Sequence, residues 1–311
     1  MSKEHAASTP APPTRPTVRQ LEYVLALSEH LHFRKAAEAC HVTQPALSAQ
    51  IQALEELLGV QLFERNRRQV LLTETGRDIV GRARGILESV DDLFDAARAS
   101  REPLQGLVRL GVIPTIAPYL LPRVLPGLRQ RFPQLELYLR EEFTHVLTER
   151  LASGEIDVLL LALPVPGDFD SQLLFHDDFF FAVPEGHPLA GRSEVMETDL
   201  AEQEVLLLED GHCLRDQALA LCGNAGARES ARMRATSLNT LTQMVAGGIG
   251  STLLPELALD VECGVRGVKA IPFADPRPHR DVGLVWRRAS SRSKEYRLLG
   301  ESIVELFDSS R

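Results

Sequence analysis

Two cysteines, Cys213 and Cys222, lie nine residues apart in the stretch LLLEDGHCLRDQALALC, residues 206–222. Gly211 follows an apolar run and an acidic turn. Cys213 therefore falls where a helix should begin, with His212 before it and Arg215 one turn on. A helix N-terminus and a neighbouring cation both favour thiolate over thiol. A thiolate attacks a peroxide O–O bond and becomes a sulfenic acid, which a second thiol can resolve to a disulfide. The pair also fits a plainer role, as two small hydrophobes in a core. A zinc site is weaker, because His212, Cys213 and Cys222 have no evident fourth ligand. We expect no metal and no cofactor. Cys40 reads as core, and Cys263, in a Gly-rich loop, receives no role.

The elements around this pair alternate between apolar runs and helical patterns. Strands are expected at Leu107–Ile113, Leu135–Leu139, Asp157–Leu163, Phe179–Val183, Val205–Leu208, Met233–Ala235, Thr252–Leu254 and Val282–Trp286. Helices are expected from Pro114, over Thr144–Gly154, Leu238–Val245 and Lys294–Phe307, and after Val205–Leu208. Such alternation implies a mostly parallel α/β sheet. Residues 104–311 are long enough for two lobes with a cleft.

A different organisation precedes it. Thr17–Leu27 reads as a helix with Leu21, Leu25 and Ser28 on one face, and Phe33, Ala36, Ala37 and Cys40 mark a second. His41-Val42 is a break. Thr43 suits an N-cap and Pro45 the first turn of a third helix. Leu47, Ile51, Leu54 and Leu58 define its buried face, and Gly59 ends it. Its outer side carries Gln44, Ser48 and Gln52, uncharged groups able to bond base edges in a major groove. A ribbon follows: Gln61–Phe63, a turn holding Arg65, Arg67 and Arg68, then Val70–Leu72. Arginines without an acid suit backbone phosphates. Residues 17–73 thus read as a winged helix-turn-helix.

A long helix spans residues 74–103, capped by Thr73 or Thr75. Ile79, Ala83, Ile86, Val90, Leu93 and Ala97 repeat as a heptad seam, which favours a two-stranded coiled coil. Two heads then reach two half-sites. Arg101-Glu102-Pro103 ends the helix and Gly106 opens a hinge.

Composition sets the outer bounds. At 311 residues the chain is too long for one ordinary core. With 44% hydrophobic and 25% charged residues, it is not a disordered polymer. Mean hydropathy is −0.08, and no apolar run is long enough to span a bilayer. Net charge is −9, so nucleic-acid binding must come from a local patch. Residues 1–16 are rich in Ala, Pro, Ser and Thr, lack the apolar region of a signal peptide, and read as a disordered tail. The expected compartment is the reducing cytoplasm, where a disulfide is transient and functional rather than structural.

The stretch LEYVLALSEHLHFRKAAEACHVTQPALSAQIQALEELLGVQLFERNRRQVLLTETG resembles the DNA-binding head of LysR-type transcriptional regulators, long and ungapped. RATSLNTLTQMVAGGIGSTLLP and EGHPLA resemble that family's periplasmic-binding-protein-like regulatory domain. LEDGHCLRDQA, with a further Cys nine residues after the first, is similar to the redox loop of the family's peroxide-sensing branch. The resemblance implies an α+β protein with a winged head, a linker helix and a two-lobed α/β effector domain. It also implies the site. Cys213 becomes the peroxidatic thiol and Cys222 the resolving one. Thr115, Thr144 and His212 match pocket residues, and Arg280 a charged residue near the loop. Thr43, Gln44, Pro45, Ser48 and Gln52 meet the groove, with Arg65, Arg67 and Arg68 on the backbone. Double-stranded promoter DNA, hydrogen peroxide, RNA polymerase, a thiol reductant, and self-association as dimers pairing into tetramers are the implied partners.

Two other functions remain open at this point. One is a regulator of the same family binding a small metabolite in the interlobe cleft, indifferent to Cys213. The other is a thiol peroxidase, against which the head and the seam argue. We therefore expect no enzyme.

Overall fold

The computed structural model describes residues 15–65, 70–98, 104–201, 203–264 and 267–310. Of the expected tail, all but the last two residues lie outside that range. The chain divides into two units, Met1–Leu93 and Phe94–Arg311, each described by itself.

The first unit opens with α1 (Val18–His30), α2 (Phe33–Ala39) and α3 (Gln44–Leu58). Thr17 and Gln20 cap α1 reciprocally, each side chain accepting from the other's backbone N–H. The buried stripe of α1 is Leu21, Tyr23, Val24 and Leu27. Leu25 and Ser28, expected on it, are only half-buried. The helix packs on both α2 and α3, so its inner face centres on Val24. His41 takes φ +54° at the break. Thr43 has the extended backbone of an N-cap, but its hydroxyl makes no capping bond. Leu47, Ile51 and Leu54 are fully buried against Ala36, Ala37, Leu62 and Phe63. Gly59, at φ +69°, ends α3.

The wing is β1 (Phe63–Arg65) paired antiparallel with β2 (Val70–Leu72), Arg65 opposite Val70. β1 starts two residues later than expected. The N–H groups of Leu62 and Phe63 instead donate to the Glu55 carboxylate, at 2.8 and 3.0 Å, which ties the wing to α3. The turn with Arg67 and Arg68 lies outside the described residues.

Helix α4 spans Glu74–Arg98. Thr73 Oγ1 accepts from the Gly76 N–H at 2.8 Å and so caps it. Gly76 lies under the Leu62 carbonyl, where an added Cβ would come within 2.2 Å of the oxygen. Val80 and Ala83 are buried and Ile79 is half-buried against the head core. Ile86 and Leu93 are 50% and 69% exposed. The start of the heptad pattern is therefore spent on the head, and the free apolar face begins at Ile86. The expected helix end at residues 101–103 lies outside the described residues.

The second unit runs β3 (Gly106–Val112), α5 (Ala117–Arg131), β4 (Leu135–Glu141), α6 (Thr144–Ser153), β5 (Val158–Leu163) and β6 (Phe169–Pro184). Then follow β7 (Glu204–Leu208), α7 (Cys213–Ala225), β8 (Arg228–Ala235), α8 (Leu238–Ala246), β9 (Thr252–Pro255) and α9 (Leu259–Glu262). The chain closes with β10 (Val268–Pro272), β11 (His279–Arg287) and α10 (Ser293–Ser309). A seven-stranded sheet has the order β10-β6-β11-β5-β3-β4, with β9 on β6, and β7 pairs with β8.

This sheet corrects the expectation of mostly parallel pairing. β3 runs parallel to β4 and β5, and β7 to β8. β11 is antiparallel to β5 and β6, and β6 to β9 and β10. The cause is β6, whose 16 residues extend well before the expected Phe179–Val183. Its first half pairs with β11 and its second half with β9 and β10. Two parallel α/β lobes thus share β6, and β11 beside it.

Candidate functional site

Helix α7 begins at Cys213, with His212 in the extended N-cap position and Gly211 at φ +102° making the turn from β7. Both thiols are free; Cys213 is half-buried and Cys222 is buried. The helix continues past Cys222 to Ala225, ending at Gly226 with φ +75°. Gly223 and Asn224 are part of that helix. Nine helical steps separate the two Cα atoms by on the order of 13–14 Å. A disulfide needs about 4.4–6.8 Å. The bond cannot form on this helix as it stands. Burial, and then the Glu229 carboxylate, push the Cys222 thiol up to about 11, so Cys222 is held as a poor nucleophile.

The inner face of α7 is Leu214, Ala218, Leu221 and Cys222, all buried. Leu219 beside them is half-buried. Arg215 fastens the first turn. Its guanidinium donates to both oxygens of Glu229 at 2.8 and 3.1 Å, to Asp210 at 2.9 Å and to the Leu208 carbonyl at 3.2 Å. This corrects one expectation: Arg215 is engaged with carboxylates instead of standing free beside Cys213. Hydrogen bonding to Arg215 lowers the Glu229 carboxyl below its ordinary range. His212 is no free cation either. Burial lowers its pKa, opposed by Glu209 and the Thr236 backbone, which favours the neutral ring.

The hydroxyls fall into two pairs. Thr115, in the turn between β3 and α5, is buried and joined to Arg280 of β11. Arg280 donates to Thr115 Oγ1 at 2.9 Å and to its carbonyl at 3.0 Å. Arg280 also binds Asp177 of β6, at 2.9 and 2.8 Å. The second Asp177 oxygen accepts from the Leu257 N–H at 2.9 Å. Thr115 Oγ1 is used as an acceptor by Arg280, which leaves its own proton to donate.

Thr144 and His212 are the other pair. Phe143 meets the His212 ring edge-on, with centroids 4.6 Å apart, and bridges the start of α6 to the loop before α7. Thr144 Oγ1 and His212 Nε2 are both buried with no hydrogen-bond partner. Buried polar atoms left unsatisfied are uncommon, and each carries a desolvation penalty of about 1–3 kcal/mol. His212 adjoins Cys213 in the chain, and Phe143, the neighbour of Thr144, touches the His212 ring. Asp177 and Glu229 were missed by sequence reasoning. Asp177 sits in the acidic pair of LFHDD, a run that carried no strand signal. Cys40 and Cys263 end α2 and α9, half-buried, their thiols raised by burial.

On the head, Thr43, Gln44, Pro45 and Gln52 are exposed along the start and outer face of α3, and Ser48 is half-buried. Gln52 Nε2 donates to Glu56 at 3.0 Å, so one carboxylate stands on the same face.

Comparison with known proteins accounts for nearly the whole chain. Residues 18–77 match the bacterial regulatory helix-turn-helix protein model of the lysR family, and residues 101–308 the LysR substrate binding domain. The DNA-binding transcriptional dual regulator OxyR of Escherichia coli K12 is 48% identical over 292 residues, 94% of this chain and 96% of that protein. The hydrogen peroxide-inducible genes activator of Dickeya chrysanthemi is 46% identical over 289 residues, 93% of this chain and 95% of that protein. A solved full-length OxyR from Pseudomonas aeruginosa, with a cysteine replaced by aspartate, aligns with TM-score 0.78 at 36% identity. That alignment covers 93% of this chain and 98% of the other.

Proposed function

The chain belongs to the LysR family and is a hydrogen-peroxide-responsive transcription regulator within it; on that premise we propose that Cys213 and Cys222 carry the response. The Cys213 thiolate attacks one peroxide oxygen. An S–O bond forms, the O–O bond breaks, and the departing oxygen leaves as water with a proton from the pocket. Thr115, Thr144 and His212 hold the peroxide, and Arg280 fixes Thr115. Cys222 then displaces the sulfenic oxygen as a second water, and the disulfide closes. One peroxide is reduced per two thiols oxidised. A thiol reductant restores the start, and in this reading the oxidised chain acts as a switch between reductions, with one peroxide consumed per switching event.

The single observation that carries this reading is α7 itself. It holds both thiols too far apart to bond and starts the first directly after His212, whose buried Nε2 has no hydrogen-bond partner. Disulfide formation therefore requires α7 to unwind. Withdrawing Leu214 and Leu221 from the core costs about 3–6 kcal/mol at ~1.5–3 kcal/mol per side chain. Covalent closure offsets that cost and locks the rearranged loop.

In this reading α3 enters the major groove of promoter DNA with Gln44, Ser48 and Gln52, while Arg65, Arg67 and Arg68 hold phosphates. Two chains join along the face of α4 that begins at Ile86, and dimers pair into tetramers. The rearranged effector domains change the grip of the heads and their contact with RNA polymerase, in the cytoplasm. The test is thiol mapping by mass spectrometry after equimolar peroxide, with hydrogen exchange over residues 214–221. A Cys213–Cys222 disulfide with lost protection is expected. A confirmed disulfide with unchanged protection would defeat the unwinding step, and a response intact in Cys213→Ser would defeat the redox reading.

A further inference from the structure

We propose that His176, His279 and Asp281 form a binding site for a divalent transition-metal ion of the zinc type. Strands β6 and β11 place His176 opposite Asp281 and His279 opposite Asp178. Side chains alternate across a strand, so these four share one face. Asp177 and Arg280, between them in the same register, occupy the buried opposite face. The ligand atoms of His176, His279 and Asp281 lie within 4.8 Å of one another.

The imidazoles are already oriented. His279 Nδ1 lies 3.1 Å from the Arg277 carbonyl, which places its proton there and leaves the Nε2 lone pair free. That Nε2 is 3.7 Å from Asp281 Oδ1. A backbone carbonyl on the far nitrogen is the usual outer support of a ligating histidine. His176 Nδ1 lies 2.6 Å from the same Asp281 oxygen. Zinc bonds of about 2.0–2.2 Å put tetrahedral ligand atoms roughly 3.3–3.5 Å apart. The present spacings bracket that value, so side-chain rotation alone closes the site. The ion takes the place of the hydrogen bond between His176 Nδ1 and Asp281 Oδ1.

Two imidazoles and one carboxylate select zinc, cobalt, nickel or copper over magnesium or calcium. Asp178 is engaged by Arg277 at 3.5 Å, so the fourth position falls to water and the site is exchangeable. Neither Cys213 nor Cys222 takes part. An ion here ties β6 to β11 directly behind the Asp177–Arg280 pair that grips Thr115.

The experiment uses the full reduced chain, titrated calorimetrically with Zn²⁺ and, in parallel, followed by absorption with Co²⁺. One ion per chain is expected, with a nitrogen–oxygen cobalt spectrum free of thiolate charge transfer and unchanged in Cys213→Ser/Cys222→Ser. His176→Gln and His279→Gln should each weaken binding by about tenfold or more. Zn²⁺ should raise the unfolding temperature of the unsubstituted chain but not of either variant. Because both histidines are exposed, the variants should fold. No saturable binding, affinity unchanged in His279→Gln, or a thiolate band lost with Cys213→Ser would each overturn the assignment. None of these outcomes depends on the peroxide chemistry.

Discussion

Arg280 of β11 and Thr115 of the β3–α5 turn are joined twice, through the hydroxyl at 2.9 Å and the carbonyl at 3.0 Å. Arg280 is fully buried and its charge is met by Asp177. Removing one partner of such a pair strands the other. Arg280→Gln should cost about 3–5 kcal/mol in urea unfolding, and Asp177→Asn in the same chain should restore part of it. No recovery in the double variant would show the two charges acting independently.

Thr144→Val should separate stability from reactivity. The hydroxyl is buried without a partner, so an isosteric methyl removes a desolvation penalty and stabilises the fold by about 1 kcal/mol. If the hydroxyl serves peroxide, oxidation of Cys213 by stoichiometric peroxide should slow by on the order of tenfold or more. A variant less stable than the parent, or one reacting at the parent rate, would remove Thr144 from the pocket.

The seating of α7 should depend on pH from both sides. His212 is depressed from its ordinary 6.5 by burial, so the folded state binds its proton less readily than a released loop. That contribution is fully present above about pH 6.5 and is lost as pH falls below it. Cys222 is raised from 9.0 to about 11, so its contribution is present below pH 9 and fades between the two values. Protection of residues 213–222, corrected for intrinsic exchange, should therefore peak between about pH 6.5 and 9. His212→Gln should flatten the acid limb alone. Glu229, lowered by Arg215, acts in the same direction as His212 but only below its ordinary 4.5, which keeps the two windows apart.

On the head, Gln52→Ala should change sequence preference, at about 1–3 kcal/mol if the amide reads a base. Arg67→Ala should weaken all duplexes alike and reduce the salt slope. Equal loss on specific and random DNA for Gln52→Ala would count against a base contact.

Ile86→Asp places a charge on the exposed apolar face of α4. If two chains meet there, the dimer should dissociate and operator affinity should fall. Sedimentation showing an intact dimer at low micromolar concentration would move the contact elsewhere.

The helices of the head were legible because each boundary has a local cause: Thr17 at one start, Pro45 at another, Gly59 at an end. The start of α7 was legible for the same reason, in the glycine and polar turn before Cys213. What local pattern could not carry was pairing at a distance. The first half of β6, FDSQLLFHDD, mixes polar and apolar residues because its neighbour β11 sets the requirement on each face. Val268–Pro272, interrupted by Lys269 and ended by a proline, offers no apolar run to announce β10. Arg215 looked like a cation for Cys213 because its carboxylate partner, Glu229, comes from β8, fourteen residues on. The turn carrying Arg67 and Arg68 lies outside the described residues, so its reading rests on sequence.

Gly76 has a mechanical consequence. Helix α4 is a rod of 25 residues, roughly 37 Å long, rooted one turn from the Leu62 carbonyl. A methyl group at Gly76 would have to gain about 1.2 Å of clearance to reach ordinary contact. Over a fulcrum one turn wide, about 5 Å, that tilt carries the far end, about 33 Å beyond Gly76, sideways by on the order of 8 Å. Half-site spacing on DNA is a fixed pitch, so in the proposed dimer such a lever arm would misalign the second head by about two base steps. Gly76→Ala should thus leave each head folded while making a pair of them select the wrong spacer.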